Sequence, residues 1–541
     1  MIDLNPRHLQ TVQHILAEYI PGCEVRAFGS RVKWTAKDYS DLDLVVVGSK
    51  PLNLKQKGQL AEAFEESNLP FRVDVLDWQS ISEGFRQGIL EKYEVIQKAQ
   101  PVKQNASTTD IYGKWSTGNE WRLKTFGNCA TLIRDSVSPS DLGNTPYVGL
   151  KHIGANKLSL IGQGVASDVT STKSRFKRGD ILFGKLNCYF RKVVRVPFDG
   201  ICSTDIWVTR AKEGIDQGFL YYSMASQSFV DFANTGAEGT TLPRAKWEWV
   251  SKYKIPLPPL PEQRHIANIL GTLDDKIELN RQMNETLEAT ARVIFKSWFV
   301  DFDPVKAKME GRTPACMDAE TAALFPSAFQ DSPLGKIPKG WKVGTLDEIV
   351  KNVRRSVKAS EIESNDCFLG LEHMPRRNIA LSSMAIDADI VSNKYRFRKG
   401  EILFGKLNPH FHKVGVAPID GICSTDILVI QPIDSEWFGI VLSLVSSDNF
   451  VAYTTACAKG TTLPRTNWND MSMYEIVLPK VEIAQKYTEF IRLIIKQIIE
   501  NIHQSHTLSQ IRDKILPKLL SGEIRVDDAV EILEVEDDRK S

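Results

Sequence analysis

Two stretches of this chain, 221 residues apart, are nearly the same sequence. Residues 176–210 read FKRGDILFGKLNCYFRKVVRVPFDGICSTDIWVTR, and residues 397–431 read FRKGEILFGKLNPHFHKVGVAPIDGICSTDILVIQ. They are identical at 22 of 35 positions without a gap. The same offset pairs Gly149-Leu150 with Gly370-Leu371, GTTLPR at 239–244 with GTTLPR at 460–465, Trp247 with Trp468, and Pro258 with Pro479. Self-similarity at a fixed offset marks a duplicated structural unit. Short alternating runs (Asp180–Phe183, Lys192–Val196, Ile206–Thr209), punctuated by Gly and Pro, predict a mixed, β-rich unit of about 140 residues.

Each unit runs into a long helical pattern. From Pro261 to Phe302, steps of four and three residues meet Ile266, Leu270, Leu273, Ile277, Asn280, Asn284, Leu287, Ala291, Ile294 and Trp298. At the repeat offset the steps meet Tyr487, Ile491, Ile494, Ile498, Asn501, Ser505, Leu508, Arg512, Ile515 and Leu519. A heptad seam of this length predicts a helix of roughly 60 Å lying on a partner helix. The polar step falls mid-seam in both, so the two helices can pair antiparallel, polar centre on polar centre.

The first 100 residues differ in kind. A helix over His8–Tyr19, a strand over Glu24–Phe28, a helix over Leu54–Glu66 and a strand over Phe71–Leu76 predict a small α/β unit. Asp41 and Asp43 alternate with Leu42 and Leu44, which puts both carboxylates on one strand face. Asp74 stands between two valines on the next strand, and Gly29-Ser30 closes the first. Carboxylates on adjacent strands hold hard cations such as Mg2+, which neutralise a triphosphate and align its reacting oxygens. A Gly-Ser turn lets backbone and hydroxyl approach a phosphate. This ordered set resembles the minimal nucleotidyltransferase family of the DNA polymerase β superfold. The resemblance implies catalytic roles for Gly29, Ser30, Asp41, Asp43 and Asp74, with Mg2+ on the three aspartates and a nucleoside triphosphate as substrate.

Within the repeats, polar residues beside turns are the candidates for DNA contact. They are Lys185, Asn187, Thr240, Thr241 and Arg244 in the first copy, and Lys406, Asn408, Thr461, Thr462 and Arg465 in the second. Lysine binds phosphate and asparagine can read an adenine edge. Each also suits a purely structural turn. Residues 151–175 and 372–396 share little, and in the second stretch Arg376 and Arg377 are candidates for base or phosphate contact. One scaffold carrying two unlike polar surfaces suits recognition of two different short DNA sequences.

Charge supports this division. Residues 105–260 carry 20 Lys and Arg against 13 Asp and Glu; from Ser521 onward the count is 3 against 8. The eight cysteines form no CxxC pair, which argues against disulfides or structural zinc. No signal-like segment and no apolar run of about 18 residues occurs, so no membrane is expected and the expected location is the cytoplasm. A Walker A loop, an NPPY-like or glycine-rich methyl-donor motif and a nuclease carboxylate–lysine set are all missing.

The repeats, their helices and the connector KSWFVDFDPVKAKMEG at 296–311 and AALFPSAFQDSPLGKIPKGW at 322–341 closely resemble the specificity subunit of type I restriction–modification systems. LPPLPEQRHIANIL at 257–270 resembles that family's approach to its first long helix. The resemblance implies an α+β multidomain chain. A small α/β nucleotidyltransferase-like domain (1–100) and a linker (101–118) precede target-recognition domain 1 (119–260). The central helix (261–302), a connector (303–340), target-recognition domain 2 (341–480), the C-terminal helix (481–521) and an acidic tail (522–541) follow. The two α/β recognition domains are joined by two helices forming an antiparallel coiled coil. The implied partners are double-stranded DNA with a bipartite site, two methyltransferase (modification) subunits and restriction subunits. S-adenosylmethionine and ATP are expected on those subunits, and the specificity part is not itself catalytic. Two other readings are a nucleotidyltransferase targeted by DNA-binding repeats, and an antitoxin-like module restraining the restriction complex.

Overall fold

The computed structural model describes residues 2–20, 23–33, 40–47, 60, 63–64, 67, 69, 71, 73–78, 81, 86, 89–90, 92–98, 121–239, 242–363, 365–385, 390 and 392–526. The expected linker at 101–118, most of the helix expected over Leu54–Glu66 and most of the acidic tail lie outside them. The chain divides into two compact units, residues 1–114 and 115–541.

In the first unit, helix α1 (Pro6–Tyr19) packs its buried Val12, Ile15 and Leu16 toward a four-stranded sheet. The strands are β1 (Glu24–Phe28), β2 (Leu42–Val47), β3 (Val73–Asp77) and β4 (Glu94–Gln97), in the order β3-β2-β1-β4. β1 is antiparallel to β2 and β4, whereas β2 and β3 run parallel. Leu42 and Leu44 point into the core, as alternation requires, so Asp43 faces the other side.

The second unit contains the duplicated domain twice. In the first copy, Val193–Arg195, Ile181–Gly184, Ile206–Ala211 and Ala130–Ile133 form an antiparallel sheet in that order. A second sheet contains Lys173–Phe176, Gly200–Cys202 and Pro146–Val148, the last two parallel. The second copy repeats both at the 221-residue offset, with Ile402–Gly405, Val414–Val416 and Ile427–Pro432 in the first sheet and Lys394–Phe397 and Gly421–Cys423 in the second. A buried acid is kept paired by different means. Asp180 takes Arg210 at 2.7 Å, while its counterpart Glu401 takes Arg355, from another strand, at 2.6 Å. A buried carboxylate left unpaired would be costly, so the partner is retained although its position in the chain is not.

The two long helices, Leu260–Phe295 (36 residues) and Val481–Ser521 (41 residues), lie antiparallel. The polar steps meet: Asn280 Nδ2 donates to Gln504 Oε1 (2.8 Å) and Ser505 Oγ (3.2 Å), and Asn501 Nδ2 donates to Asn284 Oδ1 (2.8 Å). The first repeat domain packs on Ile266, Leu270 and Leu273 of one helix and Ile515, Leu516 and Leu519 of the other. The second packs on Ala291 and Phe295 and on Ile483 through Ile502. The two domains therefore sit toward opposite ends of the helix pair.

The first helix changes pitch shortly before its predicted end at Phe302. The α-helix stops at Phe295 and continues as a π-turn over Lys296–Val300. There Phe295, Trp298 and Phe299 crowd around the buried Tyr487, with ring centroids 4.9–6.1 Å away. A π-turn adds one residue per turn and lets three large rings share one partner.

Candidate nucleic-acid interface and phosphoryl-transfer site

In the first unit, the parallel pairing of β2 with β3 sets Asp43 directly opposite Asp74. Asp41 precedes β2 and is exposed. Burial pushes the Asp43 carboxyl up, and the neighbouring Asp74 and Asp41 charges raise it further. Gly29 adopts φ +78°, and a Cβ there would lie 2.2 Å from Asp43 Oδ2. Only glycine lets the turn before helix α2 (Ser30–Lys33) close onto this carboxylate. The turn is braced by the buried Arg31, whose Nε donates to Ser40 O at 3.0 Å and whose Nη1 donates to Asp3 O at 3.1 Å. Gly29, Ser30, Asp41, Asp43 and Asp74 thus converge on one end of the sheet. Their oxygen donors and mutual repulsion suit a hard divalent cation. Among the described residues, no three His, Cys, Asp or Glu side chains are gathered closely enough to hold a metal as they stand.

In the repeats, an aspartate that the sequence reading missed ties the candidate residues together. Asp205, from the ICSTDI run, accepts from Arg244 Nε at 3.0 Å. Its backbone carbonyl accepts from Lys185 N at 3.0 Å. In the second copy Asp426 accepts from Arg465 Nε at 3.1 Å and lies 3.8 Å from Lys406 Nζ. Its carbonyl accepts from Lys406 N at 2.9 Å. Both arginines remain about half exposed (48% and 46%), so they can still meet a phosphate. The shared ICSTDI spelling in both copies was the available signal.

Asn187 and Asn408 have a structural reason to be asparagine. Both adopt left-handed backbone, at φ +50° and +49°, and their N–H groups donate to Pro243 O (2.9 Å) and Pro464 O (2.8 Å). Asparagine is among the residues that tolerate this conformation, and the Asn187 side-chain oxygen is buried. The turn geometry gives the structural alternative a physical basis in both copies. Thr461 and Thr462 are exposed at a loop tip, while Thr240 and Thr241 lie outside the described residues. Arg376 is exposed and stacks over Phe411 at 3.9 Å. Arg377, at φ +55°, pairs with Asp448 at 2.6 Å and is 68% exposed.

The two copies share this Lys–Asp–Arg group and differ in the stretches 151–175 and 372–396.

A buried ionic network ties the first repeat domain to both helices. Arg512, 2% exposed, donates to Asp274 Oδ1 at 2.6 Å, and Tyr222 OH donates to Asp274 Oδ2 at 2.8 Å. Arg191 reaches Asp513 at 3.3 Å. At the other end Glu288 Oε2 accepts from Ile379 N at 3.0 Å, and burial lifts its carboxyl to about 7. No helix among the described residues is long and apolar enough to cross a membrane.

The family described as "Type I restriction modification DNA specificity domain" matches residues 123–289 and again 338–507, and "Polymerase beta, Nucleotidyltransferase" matches residues 10–101. The type I restriction enzyme MjaIX specificity subunit of Methanocaldococcus jannaschii is 27% identical over 329 residues, covering 59% of this chain and 71% of that protein. The HindI specificity subunit of Haemophilus influenzae is 26% identical over 459 residues, covering 75% of this chain and all of that protein. For the first unit, the probable protein adenylyltransferase MntA of Haemophilus influenzae is 48% identical over 99 residues, covering 18% of this chain and 87% of that protein.

Proposed function

Because the chain belongs to the type I restriction–modification DNA specificity family, with a first unit of the polymerase β nucleotidyltransferase family, we propose that its two repeat domains read the halves of an interrupted DNA site. The observation that carries this reading is the antiparallel helix pair with one domain toward each end. Rigid spacing between two readers converts two short sequences into one bipartite site, as dimer geometry does for other DNA readers. Arg376 and Arg377 contribute to base or phosphate contact in the second half. Lys185, Arg244, Lys406 and Arg465, with the threonines of the GTTLPR loops, hold the backbone. Two methyltransferase subunits and restriction subunits assemble on the chain and bring S-adenosylmethionine and ATP. Methylation mapping in a host carrying the whole system tests this. An Arg376→Ala change should alter or relax one half of the modified motif and leave the other half intact. A change in both halves, or in neither, argues against it.

For the first unit the reading is transfer of a nucleotidyl group to a hydroxyl on a protein partner: the hydroxyl oxygen, losing its proton, bonds to the α-phosphorus of a nucleoside triphosphate as the α–β phosphoanhydride bond breaks and pyrophosphate leaves. The relative's description as a protein adenylyltransferase supports that acceptor class. Asp41, Asp43 and Asp74 would hold Mg2+, which when bound neutralises triphosphate charge. The Gly29-Ser30 turn offers its N–H groups to a phosphate, and Asp43 must be deprotonated to serve. Transfer of radiolabel from ATP to any subunit, lost in the Asp41→Ala plus Asp43→Ala chain while methylation persists, is the expected result. If wild-type protein never transfers label and deletion of residues 1–100 makes restriction toxic, the unit is instead a restraining module.

A further inference from the structure

We infer that the two GTTLPR loops are paired apolar wedges, each entering DNA at one base step of its half-site, with Leu242 and Leu463 as the inserted side chains. The inference rests on the DNA-reading role above and adds how the duplex is deformed.

Each loop is closed at its base by a reciprocal pair of backbone hydrogen bonds. Glu238 and Arg244 exchange bonds of 3.0 and 2.9 Å, and Lys459 and Arg465 exchange two of 2.9 Å. Gly239 and Gly460 turn the chain at φ +109° and +108°. A Cβ at these positions would meet the carbonyl oxygens of Leu242 and Leu463 at 3.1 and 3.2 Å, so the turn requires glycine on both counts. The far side is anchored to the domain body by Asn187 N to Pro243 O and Asn408 N to Pro464 O, and by Arg244 on Asp205 and Arg465 on Asp426. The second loop is therefore preformed, and the described residues of the first are held in the same way. At their tips a large aliphatic side chain is held in solvent, 49% exposed at Leu242 and 50% at Leu463. A pinned loop that keeps a leucine out of the core gives up burial and gains a projecting apolar point.

The surroundings favour DNA as the occupant. Arg244 and Lys246 flank the first tip, paired with Asp205 at 3.0 Å and Glu238 at 2.6 Å, and Arg465, paired with Asp426 at 3.1 Å, and the exposed Lys459 flank the second. All four cations are at least partly exposed and can exchange their acids for phosphates on either side of an opened step. The adjoining turns expose Tyr189 and Phe190 in one copy and His410 in the other, rings of the kind that stack on bases. The tip is spelled identically in both copies although the reading surfaces differ. A contact that is the same in two unlike half-sites acts on shape and deformability, and apolar wedges between base steps do this.

The test uses the full chain with its methyltransferase subunits and a duplex carrying the mapped motif. 2-Aminopurine replaces one base at a time. Apart from the methylated base, which a methyltransferase extrudes by itself, the wild-type complex should brighten the probe at one step in each half-site. Leu242→Ala should abolish the signal in one half only, Leu463→Ala in the other, and Leu→Met at either site should preserve it. The inference is overturned if no such step exists or if it survives both alanine changes. It is equally overturned if the alanine chains lose their methyltransferase subunits, since the tips would then be a protein contact. Failure of the DNA-reading role would appear separately, as wild-type complex that does not discriminate the motif from other DNA.

Discussion

Replacing Arg512 with alanine should loosen the first repeat domain from the helix pair. The guanidinium is 2% exposed and holds Asp274 at 2.6 Å, while Asp274 also accepts from Tyr222 on the domain side. Without Arg512 a largely buried carboxylate faces Tyr222 alone. Breaking a buried pair on one side costs about 3–5 kcal/mol. Removing the whole group together (Asp274→Leu, Arg512→Met, Tyr222→Phe) leaves no uncompensated charge and should return stability to within about 1–2 kcal/mol of the parent. Hydrogen exchange of the amides in Gln217–Ala225 and around residues 508–516 reports the local opening free energy. The single change should speed exchange there by roughly 10²–10³-fold, at about 1.4 kcal/mol per factor of ten, while the triple change should not. A single change costing under about 1 kcal/mol, or a triple change as damaging as the single one, would refute the view that this network joins domain to helices.

Glu288 gives a pH signature. Its folded pKa of about 7 lies above its unfolded value, so its contribution is fully present below about pH 4.5 and is lost as pH rises to 7. Glu288→Gln should match the parent at pH 4 and exceed it at pH 8 by up to about 3 kcal/mol in denaturation; a difference that grows toward low pH contradicts this. Replacing Asn280, Asn284 and Asn501 with leucine should raise the melting temperature of the chain yet reduce methylation, because buried polar seam residues fix register at the expense of stability. Gly29→Ala should abolish label transfer, since its methyl group would overlap Asp43, and should leave methylation unchanged.

Much of this molecule is legible in the sequence because duplication turns one observation into two. The repeat offset places every major strand of the second copy, and the matched polar steps predict the contact of Asn501 with Asn284. The flanks of the seam were not legible. Gln263, Glu288 and Ile502 fall outside the stepped positions yet are buried, because each helix packs on a recognition domain as well as on its partner helix. A heptad pattern describes only two-helix contact. Asp205 and Asp426 escaped notice although both copies spell ICSTDI, because the arginine that each holds stands 39 residues along the chain. The left-handed turn at Asn187 was not legible, because residue type alone does not reveal the sign of φ. Gly29 was legible, since an ordered Gly-Ser, DLDL and VDV set has few other uses.

The spacing of the two readers is tested most directly by lengthening the helix pair. Seven residues inserted between Asn284 and Leu287, and seven more opposite them between Ile498 and Asn501, keep the seam and move the domains apart by roughly 10 Å, about three base pairs. Methylation mapping should then show the original site unmodified, with any new site keeping both half-sequences and changing only the gap. Continued modification of the original site at its original spacing would contradict a fixed-length helix pair as the ruler.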